Sequence, residues 1–196
     1  MCGIAGIFSH KKLSDKYLES NLINKMIFSQ KNRGPDKLRI LKNEKTVLAS
    51  ARLEIIDVSG GQQPFVNDKK NIILVFNGEI FNYIELRNDL KIKGHSFKTS
   101  SDTEVLLKMY EEYQYNMLEK LNGQFAFCIV DLKKNLVFLA RDRVGIRPLF
   151  YTIDNETIFF SSTIKSILMN ENISKKINYD AFFQISNLWT TINDTT

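Results

Sequence analysis

Side chains able to do chemistry near neutral pH are few in this chain of 196 residues. The only histidines are His10 and His95, and neither lies in a nucleophile-elbow or cysteine-protease context. His95 follows Gly94 and reads as a turn residue; His10 reads as a surface-loop residue. No Cys or His pair has zinc-ligand spacing, no His-x-Glu with Pro-Cys-x-x-Cys occurs, and there is no phosphate-binding Walker loop, so no metal site is expected. Cys2 remains. It follows an initiator Met and is small, so removal of Met1 would make it the first residue. An N-terminal Cys carries its own base, because an α-amine has a reference pKa of about 7.7–8.0 and can take the thiol proton directly or through one water. Taken alone, Cys2 reads equally well as a small buried residue. The hydrophobic strand expected after it would fix the terminus.

A nucleophile attacking an amide needs donors for the oxyanion that develops. Phe76-Asn77-Gly78-Glu79, read as lying between a strand and a helix start, offers the Asn77 side-chain amide and the Gly78 N–H. The same segment also reads as an Asn-Gly turn. Glu79 and Asp102 stand next to expected helix N-termini, where the dipole favours carboxylates for structural reasons alone. Arg52 lies between Ala51 and Leu53 in an apolar strand, and a guanidinium there calls for a carboxylate, which a substrate could supply to its fork.

The elements that must position these residues alternate between the two hydrophobic periods. A strand is expected over Gly3 to Phe8, then a helix from Asp15 to Gln30 with Leu18, Leu22, Ile23, Met26 and Ile27 on its apolar face. Asn32-Arg33-Gly34-Pro35-Asp36 is a loop. Strands follow at Thr46 to Ile55 and Asn71 to Phe76. The next helix is marked by Asn82 as N-cap, Glu85 three residues on and Phe81 stapled to Leu86, and Gly94 closes it. Ser101 with Glu104 opens another helix, carrying Val105, Leu106, Met109, Tyr110 and Tyr113 on one face. Beyond Gly123 the chain reads as two strand pairs, Phe125 to Asp131 with Leu136 to Arg141, and Leu149 to Thr152 with Thr157 to Ser161. Consecutive antiparallel pairs with helices grouped between them indicate an α+β fold.

Length and composition fit one globular domain with a substantial core, and sparse Gly, Pro and Cys exclude collagen-like, low-complexity and disulfide-scaffold classes. The net charge of +5 comes from Lys and Arg scattered among Asp, Glu and Asn, so no nucleic-acid partner is expected. No apolar run approaches the roughly 20 residues of a membrane span. The N-terminus lacks a secretory pattern, and Cys2 and Cys128 are far apart in sequence, which together point to a cytoplasmic protein with reduced thiols.

Met1-Cys2-Gly3-Ile4-Ala5-Gly6-Ile7-Phe8, Arg33-Gly34-Pro35-Asp36, Arg52-Leu53-Glu54-Ile55-Ile56-Asp57, Gly61-Gln62-Gln63-Pro64, Asn77-Gly78-Glu79-Ile80-Phe81-Asn82, Ser101-Asp102-Thr103-Glu104-Val105 and Arg141-Asp142-Arg143-Val144-Gly145-Ile146-Arg147-Pro148-Leu149 follow in an order that resembles a known family. It is the class II glutamine amidotransferase domain of glutamine-hydrolysing asparagine synthetases, and the likeness covers about residues 1–170. The Arg-Trp/Tyr-x-Thr-His-Gly stretch of the phosphoribosyl-pyrophosphate and fructose-6-phosphate amidotransferases is missing.

The resemblance implies a four-layer αββα N-terminal-nucleophile hydrolase fold, with two stacked antiparallel sheets between helical layers and Cys2 at the end of a central strand. It implies hydrolysis of L-glutamine to glutamate and ammonia through a Cys2 thioester, the ammonia serving asparagine synthesis from aspartate. Cys2 would be the nucleophile and its amine the base, while Asn77 and Gly78 would form the oxyanion hole. Arg52 would hold the glutamine α-carboxylate, Glu79 and Asp102 the α-ammonium, and Leu53, Ile55 and Ile56 would line the pocket. The amidotransferase domain is expected over residues 1–185, with 186–196 starting a linker to a C-terminal synthetase domain or subunit. This domain needs no cofactor by that reading; ATP and Mg2+ belong to the synthetase half. Pairing of two copies is left open. An acceptor other than aspartate, such as a sugar acid or a peptide carboxylate, and a non-catalytic docking module are the alternatives.

Some positions depart from the family's pattern. Thr163 stands where Glu is usual, and Glu54 stands where Ser is common and is expected to face away from the pocket. The Ser-Gly-Gly-x-Asp-Ser loop of the synthetase half is absent from this sequence. Asn193-Asp194-Thr195-Thr196 resembles the connecting linker, which suggests a truncated chain or a single expressed domain.

Overall fold

The structure, a computed structural model, describes residues 1–19, 21–57 and 60–192. Among these, two sheets form, and every strand pair in them is antiparallel. The five-stranded sheet has the order β2-β3-β1-β9-β8, built from β1 (Gly3–Ser9), β2 (Lys37–Asn43), β3 (Thr46–Arg52), β8 (Phe150–Asp154) and β9 (Thr157–Ser161). The four-stranded sheet has the order β4-β5-β6-β7, from β4 (Phe65–Val66), β5 (Ile72–Ile80), β6 (Gly123–Asp131) and β7 (Leu136–Arg141). The helices are α1 (Asp15–Leu18), α2 (Leu22–Phe28), α3 (Tyr83–Ile92), α4 (Asp102–Tyr113), α5 (Met117–Lys120), α6 (Ile164–Ile167) and α7 (Tyr179–Leu188).

Alternation along the strands sorts side chains into three apolar layers. Ile4 and Phe8 of β1, Leu48 of β3 and Phe160 of β9 meet Ile73 and Val75 of β5 and Cys128 and Val130 of β6 between the sheets. The opposite face of the first sheet, Ala5, Ile7, Val47, Ala49 and Phe159, packs on Ile23, Met26 and Ile27 of α2. Leu74, Phe76, Phe127 and Ile129 of the second sheet pack on Leu86, Val105, Met109 and Tyr110 of α3 and α4. The result is helix, sheet, sheet, helix, as the sequence resemblance implied. Each fully buried large apolar side chain contributes about 1.5–3 kcal/mol. Gly6 lets the sheets close: a Cβ there would lie 2.3 Å from the Phe160 ring and 2.6 Å from Leu48.

Several element boundaries differ from the sequence reading. The single helix expected from Asp15 to Gln30 divides into α1, with no buried residue, and α2, which buries Ile23, Met26 and Ile27. Asn21 stands directly before α2, and Asn is disfavoured in a helix interior. Strand β3 ends at Arg52 instead of Ile55, because its partner β1 begins at Gly3, opposite Ala51. Strand β5 runs past Phe76 to Ile80, held to the end by Gly123 of β6. Asn77-Gly78 is therefore strand, not a turn.

The helix ends also differ in part. Asn82 does not cap α3 with its side chain; it bridges to the Lys120 carbonyl and the Asn122 N–H, at 2.9 and 3.0 Å. Ser101 caps α4 through the Thr103 N–H, whereas Glu104 accepts from the N–H groups of Lys98 and Thr99. Gly94 closes α3 as expected, with φ +92°, its N–H on Lys91 O and the His95 N–H on Leu90 O. Helix α7 runs across residue 185, and of residues 186–196, expected as the start of a linker, 193–196 lie outside the described residues.

Candidate active site

One end of the space between the sheets opens into a cleft of about 530 Å³, counting its mouth. Strand register explains which side chains reach it. Cys2 has the parity of Ile4 and Phe8 on β1, Arg52 that of Leu48 on β3, and Asn77 and Glu79 that of Ile73 and Val75 on β5. Each strand thus turns an apolar side chain inward along its length and a polar one at its end. Cys2 lies one step beyond the Gly3–Ala51 pair, opposite Arg52. All of Cys2, Arg52, Leu53, Ile55, Ile56, Asn77, Gly78, Glu79 and Asp102 line the cleft.

The Cys2 Sγ accepts the Leu53 N–H at 3.4 Å and lies 3.7 Å from the Leu53 carbonyl. Burial pushes the thiol pKa up, and the Leu53 N–H, the N-terminal ammonium and Arg52 only partly oppose this. The resting sulfur is therefore a thiol, and attack requires a base. Asn77 is 0% exposed, and neither Nδ2 nor Oδ1 of its amide has a protein hydrogen-bond partner. A buried amide left in this state costs about 1–3 kcal/mol unless something else satisfies it.

Gly78 contributes backbone. Along the β5 edge facing away from β6, the Phe76 N–H donates to Gln63 Oε1 at 2.7 Å and the Ile80 N–H to Asp102 Oδ2 at 3.3 Å. Antiparallel alternation puts the Gly78 N–H on this same edge, midway between them; its cross-strand neighbour Phe125 turns its own N–H and carbonyl to Asp142. The Asn77 amide and the Gly78 N–H are thus adjacent donors on a rigid strand end beside Cys2.

Charge is divided across the cleft. Arg52 is buried, with Nη1 on Glu54 Oε1 at 3.2 Å and Nη2 on the carbonyls of Ile56 and Asp57 at 3.0 and 2.7 Å. Asp102, at the first turn of α4, has its pKa raised to about 6 by burial, with Glu79 adding to the rise and the Ile80 and Thr103 N–H groups opposing it. Glu54 does not line the cleft, but its carboxylate holds the guanidinium that does. Met1, Gln63, Phe76, Thr103 and Arg147 also line the cleft and were given no role from sequence. Gln63 carries a recoverable signal, since its Oε1 and Nε2 tie β5 to Thr103 of α4 from within the Gly61-Gln62-Gln63-Pro64 motif. Arg33 donates Nε to the Cys2 carbonyl at 3.2 Å; burial first, then the neighbouring Arg147 charge, lower its pKa.

Among the described residues, no group of three or more His, Cys, Asp and Glu side chains is arranged to hold a metal ion, and no helix is long and apolar enough to cross a membrane.

Two antiparallel sheets stacked between helices, with a cysteine just before a central strand, make up the four-layer αββα architecture. A family model described as a glutamine amidotransferase domain matches residues 1–195, and the chain belongs to that family. It is 37% identical over 190 residues to asparagine synthetase [glutamine-hydrolyzing] 3 of Bacillus subtilis, covering 96% of this chain and 31% of the relative. Asparagine synthetase [glutamine-hydrolyzing] 1 of the same organism is 41% identical over 172 residues, 88% of this chain and 27% of the relative. A putative asparagine synthetase [glutamine-hydrolyzing] 2 of Methanocaldococcus jannaschii is 40% identical over 202 residues, 92% of this chain and 38% of the relative. The chain thus spans about a third of the length of these relatives. Among solved structures, the allosteric regulatory enzyme of purine biosynthesis matches with a TM-score of 0.66 at 22% identity, covering 86% of this chain and 43% of that one. Glutamine phosphoribosylpyrophosphate amidotransferase from B. subtilis matches with a TM-score of 0.59 at 20% identity over the same shares. These two likenesses concern the fold.

Proposed function

We propose that this amidotransferase domain hydrolyses L-glutamine to glutamate and ammonia, with Cys2 as nucleophile, and that the ammonia serves asparagine synthesis from aspartate in a synthetase half. The observation that carries the reading is the fully buried, unpartnered Asn77 amide beside Cys2, in a cleft with a cation on one side and two carboxylates on another. Glutamine is a zwitterion with a reacting amide at its far end. Arg52 takes the α-carboxylate, Glu79 and Asp102 the α-ammonium, and Leu53, Ile55 and Ile56 the methylenes.

After removal of Met1, the Cys2 α-amine accepts the thiol proton as sulfur adds to the side-chain carbonyl carbon of glutamine. The oxyanion that forms is held by Asn77 Nδ2 and the Gly78 N–H. Collapse breaks the C–N bond as the Cys2 ammonium returns its proton to the amide nitrogen, which leaves as ammonia. Water, deprotonated by the same amine, then cleaves the γ-glutamyl thioester to glutamate and restores the thiol. ATP and Mg2+ act in the synthetase half and have no role in this step. Residues 1–185 form the catalytic domain in this reading, its partner is that synthetase half, and its compartment is the cytoplasm.

Product analysis tests this. Glutamate and ammonia should appear in equal amounts, and Cys2→Ala should abolish both while Cys128→Ala changes little. Retention of hydrolysis by Cys2→Ala would remove the nucleophile from the proposal.

A further inference from the structure

Lys37 of β2 and Arg52 of β3 stand directly opposite each other in register, so two cations share one face of the sheet beside the cleft. Like charges in that arrangement repel. Glu54 lies between them, with Oε1 2.9 Å from Lys37 Nζ and 3.2 Å from Arg52 Nη1. Its own N–H is fixed to Asp36 Oδ2 at 2.8 Å, so the carboxylate is held there by backbone as well as by charge. The side chains of Arg52 and Glu54 are 6% and 13% exposed, which leaves little water to screen the pair, whereas Lys37 is 43% exposed.

We propose that Glu54 is a specificity-determining residue: an internal carboxylate that competes with the substrate's α-carboxylate for Arg52 and so sets how tightly the amino acid is taken. The inference rests on Arg52 being the α-carboxylate site. A carboxylate arriving at Arg52 meets the negative charge of Glu54 on the same guanidinium, and Lys37 draws part of that charge away. The α-carboxylate is bound equally in the ground and transition states, so the competition acts on KM and leaves kcat alone.

The test uses the full chain with Met1 removed. Glu54→Gln keeps the shape and an acceptor oxygen but removes the charge, and should lower KM for L-glutamine by about two- to tenfold with kcat unchanged. Glu54→Ser should act in the same direction, and it guards against a packing defect peculiar to Gln. Lys37→Met leaves Glu54 to Arg52 alone and should raise KM. With L-glutamine α-amide, which lacks the α-carboxylate, Glu54→Gln should make no difference. A higher KM in both Glu54 variants would make Glu54 a required support of Arg52, and an unchanged KM would make the ion pair purely structural; either result overturns the proposal. If Arg52→Ala leaves KM unchanged, the assignment of Arg52 itself fails, a result read before Glu54 is touched.

Discussion

Asn77, Arg52 and Asp102 all touch the cleft, yet their removal should leave different kinetic signatures. The Asn77 amide has no protein partner, so its donor is available to an oxyanion. Asn77→Ala should lower kcat by on the order of 10²–10³ with glutamine binding nearly intact. Arg52→Ala removes a contact present throughout the reaction and should mainly raise KM. Steady-state kinetics of the two variants separate these roles; a rise in KM alone for Asn77→Ala would make Asn77 a binding residue.

Asp102 should impose a pH dependence. With its pKa raised to about 6, it is neutral below that pH and no longer attracts an α-ammonium. KM for glutamine should therefore rise as pH falls through 6, and Asp102→Asn should flatten the profile at a high KM. The same burial affects stability. The native state holds this proton to a higher pH than the unfolded chain, so stability is lost as pH rises from the ordinary carboxylate range through about 6. Asp102→Asn should therefore be more stable than the parent at pH 8, by no more than about 3 kcal/mol, and no different below pH 4. Thermal unfolding at the two pH values checks this.

At the scale of elements, β5 does most of the positioning. Gly78 approaches β6 so closely that a Cβ would lie 2.1 Å from the Gln124 carbonyl oxygen. Gly78→Ala should thus part the two strands, lowering stability by about 2 kcal/mol or more and activity with it, measured by denaturant unfolding and initial rates. This strand also marks where local sequence signals stop. Asn-Gly is a strong hairpin signal, and what overrides it is pairing with Gly123 to Ala126, nearly fifty residues away. The positions of Cys2 and Arg52 were more legible, because alternation from Ile4 and Leu48 fixes their face once the strands are known. Strand β2 was missed because its burial does not alternate, and two-residue β4 offers no period to read. The role of Gln63 required knowing that β4 stops short and leaves the β5 edge open.

For the molecule as a whole, the open surface is concentrated at α7. Phe182 and Phe183 are 64% and 70% exposed, and Trp189 after the helix is 93% exposed. Exposed apolar side chains grouped on one short helix favour association of the chain with itself. Replacing Phe182 and Phe183 together by Ser should reduce self-association of the chain in light scattering and leave glutaminase kinetics unchanged, since α7 does not line the cleft.

The most direct measurement concerns the terminus, because the cleft contains no histidine and the proposed base is the Cys2 α-amine. While Met1 remains, the Cys2 nitrogen is an amide and cannot accept the thiol proton. Preparations differing only in the fraction of Met1 removed, quantified by intact-mass spectrometry, should show glutamine hydrolysis in proportion to that fraction. A glutamine-analogue electrophile should label Cys2 in the same proportion and leave the fully buried Cys128 untouched. Full hydrolysis by protein that retains Met1 throughout would contradict the account.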